Sequence, residues 1–202
     1  MRRYGVLHGL QPLMCTGVLC VDEETLSQLE SSILDKHKQG TLSELGPPHQ
    51  YQATLAGHDS VLQKNSTCRM SKPEQFEAFT ELAGALALWR EVGRMYPFLS
   101  VKYLDLLVQD IALNGASAFT WHEDVERLRG GQGPANRDAH AIWVTVVVKL
   151  SLGQSAMQVA GCDVTEYPTA RGAFAAFRAS AMHRSLAARS LCVKAVFFLG
   201  PN

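Results

Sequence analysis

The sequence has no paired cysteine motif and no long apolar run. Its five cysteines form neither a C-x-x-C pair nor an even set, so the sequence indicates neither a zinc ribbon nor a disulfide-stapled secreted scaffold. The mildly apolar N-terminus is interrupted at His8, Gln11 and Pro12 before the apolar core of a signal peptide forms. No stretch approaches the roughly 20 apolar residues of a membrane span, so no membrane partner is expected. We therefore expect an intracellular protein in a reducing compartment.

The sequence also has no excess of positive or negative charge. The 19 Lys and Arg residues equal the 19 Asp and Glu residues, which argues against a long electrostatic footprint on nucleic acid. A local footprint remains compatible with the sequence, because residues 101–202 hold ten Lys/Arg against eight Asp/Glu. Residues 1–100 hold nine against eleven. Scattered solvated arginines would explain this small difference equally well.

Internal repeats are also absent, and two helical patterns dominate the first half of the chain. Residues 22–39 have an acidic first turn, apolar residues at helical spacing, a basic end and a glycine just beyond, which predicts an amphipathic helix. Residues 40–70 are rich in turn residues and predict a loop with short strands. A second helix is predicted to start at a capping box of Ser71 and Glu74 and to run to Pro97.

The second half consists of short β-branched or aromatic runs separated by polar clusters, a texture typical of antiparallel β-structure. These runs cover residues 106–113, 142–152, 156–160, 172–177 and 191–199. Helices followed by strands predict an α+β fold in which two helices buttress a β-sandwich or barrel. One core is sufficient at this length. We expect a single domain over residues 1–202, with a helical support region in 1–100 and a β-core in 101–202.

A candidate metal site begins at His122 and Asp124, which lie where the first predicted strand ends. Two-residue spacing on a strand points both side chains to the same face. One further histidine would complete a 2-His-1-carboxylate triad, which holds Fe(II) and leaves coordination positions open. Downstream the sequence offers only His140 and His183, and His183 follows the predicted strand 172–177. A His-x-Asp pair alone fits a polar loop as well as it fits a metal site.

A cation stands within the apolar run 191–199. Lys194 would be costly there with its ammonium pointing inward unless an anion paired with it. Arg189, in the loop before the predicted strand, is a competing candidate for the same role. The distal carboxylate of 2-oxoglutarate would be a suitable anion for either side chain.

Six segments of the second half follow one another in an order that carries a family resemblance. They are residues 121–124, 144–150, 156–161, 172–177, 183–185 and 193–198. Together they resemble the Fe(II)/2-oxoglutarate dioxygenases of double-stranded β-helix fold, and most of all the TET/JBP nucleic-acid base oxygenases of fungi, algae and protists. The resemblance implies a catalytic Fe(II) bound by His122, Asp124 and His183. It also implies O₂ and 2-oxoglutarate as co-substrates, with Lys194 or Arg189 at the distal carboxylate and ascorbate as an alternative reductant.

The TET/JBP resemblance further implies oxidation of a methylated pyrimidine, of the 5-methylcytosine or thymine type, in nucleic acid. DNA is favoured over RNA, which would place a monomeric enzyme in the nucleus, and the base would have to flip out of the duplex. Candidate arginines for contact with nucleic acid are Arg127, Arg129, Arg137, Arg171 and Arg178. Two other classes stay open: an Fe(II)/2-oxoglutarate hydroxylase of a protein side chain or small molecule, and a metal-free, non-catalytic β-sandwich binding module.

Overall fold

An antiparallel sheet forms the frame of the chain in the computed structural model, which describes residues 14–48, 66–109, 121–124, 144–153, 155–163, 165–167, 169–185 and 190–202. The strands in this part are β1 Met14–Val18, β2 Ser66–Met70, β3 Leu99–Gln109, β4 Val144–Lys149, β5 Ala156–Val159, β6 Thr165–Glu166, β7 Ala173–Arg178, β8 His183–Ser185 and β9 Cys192–Pro201. The helices are α1 Glu23–Gln39, α2 Pro73–Thr80 and α3 Ala85–Met95, and a 3-10 turn covers Leu42–Glu44. The predicted α+β class is confirmed.

The first helix matches its prediction at both ends. The side chain of Asp22 accepts a hydrogen bond of 2.8 Å from the backbone N–H of Thr25, which caps the N-terminus of α1. Gly40 ends the helix with a φ of 72°, a left-handed conformation that glycine adopts without a steric penalty. None of the helices in the described residues is long and apolar enough to cross a membrane.

The prediction of one continuous second helix is wrong, because this segment forms two helices, α2 and α3. Gly84 stands between them with a φ of 80°, and a Cβ there would collide with the backbone carbonyl of Thr25. The capping residue is also different. The Gln75 side chain accepts hydrogen bonds from the backbone N–H groups of Ser71 at 2.9 Å and Lys72 at 3.1 Å, so Gln75 and not Glu74 satisfies the helix start.

The strands form two sheets that face each other. The larger sheet has the order β1-β7-β4-β9-β3-β2, and the smaller one has the order β6-β5-β8. All pairings within them are antiparallel. The predicted strands of the second half are confirmed apart from their bounds, and the first of them begins earlier, at Leu99. Strand β1 was not predicted, because this edge strand is largely exposed and carries no apolar alternation.

The two faces of the larger sheet contact different layers. Side chains alternate along a strand, so every second residue of β4 and β9 points to the same face. One face, with Val146 and Phe197, packs against buried side chains of the three helices. The other face, with Val147 and Val196, packs against β5 of the smaller sheet. Because both faces are buried, these strands appear in the sequence as continuous apolar runs.

A buried ion pair ties the edge strand β2 to β3. The guanidinium of Arg69 donates to both carboxylate oxygens of Asp105, at 2.7 and 2.6 Å, and Asp105 is fully buried. The Arg69 guanidinium also lies 5.4 Å from the centroid of the Phe198 ring. Burial, together with the nearby Asp105 carboxylate, raises the pKa of the Cys68 thiol to about 12, so this thiol stays protonated.

Replacing Asp105 by alanine should lower the free energy of unfolding by about 3 to 5 kcal/mol, because the guanidinium would be left buried without its carboxylate. The matched control is Asp35→Ala, since Asp35 is exposed and lies 3.9 Å from the Lys38 ammonium. That exchange should change the same quantity by less than about 0.5 kcal/mol. Urea denaturation measures both, and equal effects of the two variants would contradict a structural role for the buried pair.

Candidate metal centre

Three side chains converge at one point between the two sheets. One ligand atom each of His122, Asp124 and His183 lies within 4.8 Å of the others. The Asp124 Oδ1 atom is 3.8 Å from His122 Nε2 and 3.5 Å from His183 Nε2. Ligands about 2.1 Å from a metal ion lie roughly 3 Å apart at neighbouring octahedral positions, so a small contraction would let all three atoms share one ion. No other such cluster occurs among the described residues.

The backbone holds the two histidine segments directly against each other. His122 and His183 exchange two hydrogen bonds, at 3.0 and 2.9 Å, and so form an isolated antiparallel bridge. The Asp124 N–H donates to the carbonyl of Ala179 at 3.1 Å. The backbone of Asp124 is no longer extended. The expectation that strand alternation alone brings His122 and Asp124 together is therefore wrong, because the chain turns after the bridge.

Hydrogen bonds fix the orientation of two of the three side chains. His183 Nδ1 lies 2.9 Å from the carbonyl oxygen of Ala181. A carbonyl only accepts, so Nδ1 donates to it, and this bond turns Nε2 toward the centre. The hydroxyl of Thr145 donates to Asp124 Oδ2 at 2.6 Å, which leaves Oδ1 toward the two imidazoles.

Ring packing restricts the imidazoles further. The ring centroids of His122 and His183 are 4.1 Å apart, and the Phe177 ring lies 4.5 Å from that of His183. Trp121 and Arg184 are the sequence neighbours of these histidines, and the Arg184 guanidinium lies 4.8 Å from the centroid of the Trp121 ring. Packing of this kind holds ligand side chains in place before any ion binds.

A pocket opens in front of the cluster, with an empty volume of about 420 Å³ that includes its open mouth. Its walls combine five apolar side chains with six polar or charged ones. The lining residues are Leu107, His122, Asp124, Thr145, Val147, Met157, His183, Ser185, Lys194, Val196 and Phe198. Small-molecule sites commonly combine apolar walls with a few convergent polar groups in this way.

Lys194 is the cation of this pocket. Its side chain is buried, and its ammonium has no hydrogen-bond partner among the described residues. The centroid of the Tyr167 ring lies 5.8 Å from Nζ. The sequence predicted an anionic partner for this ammonium, with the carboxylate of 2-oxoglutarate as a suitable one, and no side chain of the described residues takes that place. An unpaired buried ammonium is expensive, which indicates a site for an anion.

Two other buried polar residues lie near Lys194 and were not predicted from the sequence. Lys149 lies opposite Lys194 in the β4–β9 ladder, and its ammonium donates to the carbonyl of Gly153 at 2.8 Å. Burial lowers the pKa of Lys149. Tyr167 is buried, and burial raises the pKa of its hydroxyl, which donates to the sulfur of Met157 at 2.9 Å. Lys149 could have been noticed as a cation in an apolar run, whereas nothing in the sequence distinguishes Tyr167.

Two of the predicted nucleic-acid arginines, Arg171 and Arg178, lie in the described residues, and neither lines the pocket. Arg171 donates to Glu30 at 2.9 Å and to Glu23 at 3.2 Å, so it binds α1. Its contact with nucleic acid stays a prediction. Arg178 is exposed at the end of β7. The candidates outside the described residues are Arg127, Arg129, Arg137 and Arg189, together with His140.

The chain matches no known family model, and no curated protein matches its sequence. Solved structures do match. A prolyl hydroxylase from Trichoplax adhaerens, in complex with a peptide of hypoxia inducible factor, gives a TM-score of 0.62 at 11% identity over 94% of this chain and 84% of its own. The viral collagen prolyl hydroxylase of Paramecium bursaria chlorella virus-1, in its 2-oxoglutarate complex, gives 0.54 at 10% identity over 95% and 97%.

A third neighbour comes from small-molecule biosynthesis. The non-heme α-ketoglutarate-dependent epimerase SnoN of nogalamycin biosynthesis gives a TM-score of 0.62 at 11% identity over 92% of this chain and 77% of its own. The chain has the fold of the Fe(II)/2-oxoglutarate oxygenases. The predicted double-stranded β-helix core is thereby confirmed, and at these identities the likeness concerns the fold alone. The finer likeness to TET/JBP enzymes stays a prediction.

Proposed function

We propose that the chain is an Fe(II)- and 2-oxoglutarate-dependent dioxygenase formed by one domain. The observation that carries this proposal is the presence, in one pocket, of the His122, Asp124 and His183 cluster and the unpaired ammonium of Lys194. A metal-free binding module would have no use for either feature. The fold of the chain supports the same conclusion.

The three ligands suit Fe(II) by their chemistry and by their geometry. Two imidazoles and one carboxylate on one side of an ion leave the other side open, which is the arrangement of non-heme iron oxygenases. Once bound, the iron supplies the redox chemistry that couples decarboxylation of 2-oxoglutarate by O₂ to oxidation of a C–H bond. The protein holds His183 and Asp124 in place through Ala181 and Thr145, and apolar side chains line part of the pocket.

Lys194 favours 2-oxoglutarate over ascorbate as the co-substrate. The distal carboxylate of 2-oxoglutarate would remove the cost of the buried ammonium by forming a charge-assisted hydrogen bond with it. Ascorbate is an enediol lactone without a carboxylate, so its binding would leave Lys194 without such a partner. The Tyr167 ring lies 5.8 Å from the Lys194 ammonium, and its hydroxyl donates to the sulfur of Met157, so Tyr167 is a buried neighbour of this cation.

A protein side chain or a small molecule is the substrate class that we favour. The similar solved structures include prolyl hydroxylases and an enzyme of nogalamycin biosynthesis. The alternative, a methylated pyrimidine in DNA, rests on the sequence resemblance. Among its predicted arginines in the described residues, Arg171 is bound to α1 and Arg178 remains exposed. The net charge of zero also argues against extensive phosphate contact.

The test is turnover of 2-oxoglutarate by the Fe(II)-loaded protein in air. We expect succinate to form, and a substrate of the correct class to increase its rate while gaining one oxygen atom by mass spectrometry. Peptide libraries, metabolite extracts and 5-methylcytosine DNA are the substrate arms, with Asp124→Ala as the control. Product on DNA alone would move the substrate to the nucleic-acid class. Absence of succinate in every arm would contradict the enzyme proposal.

A further inference from the structure

The two oxygens of the Asp124 carboxylate have different surroundings. Oδ1 faces both imidazoles, at 3.8 Å from His122 Nε2 and 3.5 Å from His183 Nε2. Oδ2 accepts a hydrogen bond of 2.6 Å from the hydroxyl of Thr145. A short O–H···O⁻ bond of this length belongs to the strong, charge-assisted class. The carboxylate is thereby held with one oxygen toward the metal position and the other turned away.

We propose that Thr145 is a positioning residue that limits Asp124 to a single metal–oxygen bond and so preserves the coordination positions needed by the co-substrate. This inference rests on the proposed function. A carboxylate can bind a cation through one oxygen or through both. If Oδ2 were released, it could rotate toward the metal and occupy a position that 2-oxoglutarate or O₂ requires. The Thr145 hydroxyl opposes that rotation because it would lose its acceptor.

The surroundings of Thr145 restrict its hydroxyl to this role. Thr145 is 1% exposed and lies on the central strand β4, opposite Phe177 of β7 and Phe198 of β9. Both neighbouring ring systems and the β-branched side chain limit rotation about χ1. A hydroxyl buried in this valine-rich strand is costly unless it is hydrogen-bonded. Valine would fill the same space, so packing alone does not require threonine here.

The backbone at Asp124 does not depend on Thr145. The Asp124 N–H is bound to the Ala179 carbonyl at 3.1 Å, and the bridge between His122 and His183 lies just before it. The exchange Thr145→Val should therefore leave the fold and the three ligands in place and remove only the hydrogen bond to Oδ2. This separation makes the role testable by binding measurements.

The test measures anaerobic binding of Mn(II), and then of 2-oxoglutarate to the Mn(II)-loaded protein, by calorimetry. For Thr145→Val we expect Mn(II) affinity within a few-fold of the wild type, but 2-oxoglutarate affinity lower by about 10- to 100-fold, as the loss of a hydrogen bond to a charged group implies. Thr145→Ser keeps the hydroxyl and should restore the affinity. Thr145→Ala lacks it and should repeat the valine result, which guards against a packing defect of valine.

The control is Thr16→Val, because Thr16 is an exposed threonine of the same sheet and should have no effect. Unchanged 2-oxoglutarate affinity in both hydroxyl-free variants would overturn the inference. Equal losses in Thr145→Ser and Thr145→Val would also overturn it, because the hydroxyl would then not be the cause. If the wild type itself bound no 2-oxoglutarate in the presence of metal, the proposed function would fail instead.

Discussion

Replacing Asp124 by alanine should abolish both tight Fe(II) binding and 2-oxoglutarate turnover. Asp124 supplies the only anionic atom of the cluster, and its Oδ1 lies between the two imidazole nitrogens. The exchange also leaves the buried Thr145 hydroxyl without its acceptor, which should lower stability by about 1 to 3 kcal/mol. Metal content after anaerobic loading and succinate formation measure the two losses.

The control for this variant is Asp163→Ala, since Asp163 is an exposed carboxylate on the turn after β5. It should bind metal and turn over 2-oxoglutarate as the wild type does. If Asp124→Ala kept its iron and its turnover, the cluster would not be the catalytic centre. A parallel loss in both variants would point to general damage and would contradict a specific role for Asp124.

Replacing Lys194 by methionine should raise the KM for 2-oxoglutarate by about 30-fold or more, because removal of a desolvated charge partner typically costs 2 to 5 kcal/mol of binding. Folding should not suffer, since the ammonium has no hydrogen-bond partner in the described part of the chain. Steady-state kinetics and thermal unfolding of the same preparation separate the two effects.

Lys149→Met is the matched control. Lys149 is a buried lysine that pairs with Lys194 between β4 and β9, and its ammonium already has a carbonyl acceptor. Its KM should stay within a few-fold of the wild type. Arg189, the competing candidate, lies outside the described residues, so Arg189→Ala decides between the two positions. A large rise in KM for Arg189→Ala, with none for Lys194→Met, would show that Lys194 is not the anchor.

Much of the β-core was predictable because its strands are buried on both faces. Residues such as Val147 and Val196 face the small sheet while their neighbours Val146 and Phe197 face the helices, and this double burial makes the runs conspicuous. Lys194 was predictable for the same reason, since a cation in such a run needs a partner. Exposed β1 gives no comparable signal, and the break at Gly84 is set by close approach to Thr25, far away in the sequence.

The candidate centre was predictable in its residue types but not in its geometry. His-x-Asp and a later histidine gave the three ligands, whereas the bridge between His122 and His183 follows from tertiary pairing. Thr145 appeared as an ordinary β-branched strand residue, because its meaning depends on Asp124 lying opposite. The ion pairs of Arg171 were not predictable either, because Glu23 and Glu30 lie in the first helix, far from it in the sequence.

The most direct measurement of the central claim is an anaerobic titration of the protein with Fe(II) followed by 2-oxoglutarate, monitored by visible absorption. We expect a weak charge-transfer band of the iron–2-oxoglutarate chelate to appear in the wild type. The band should be absent in Asp124→Ala, and in Lys194→Met it should require much more 2-oxoglutarate. A wild-type protein that binds Fe(II) without developing the band, or a band that persists unchanged in Asp124→Ala, would contradict the account.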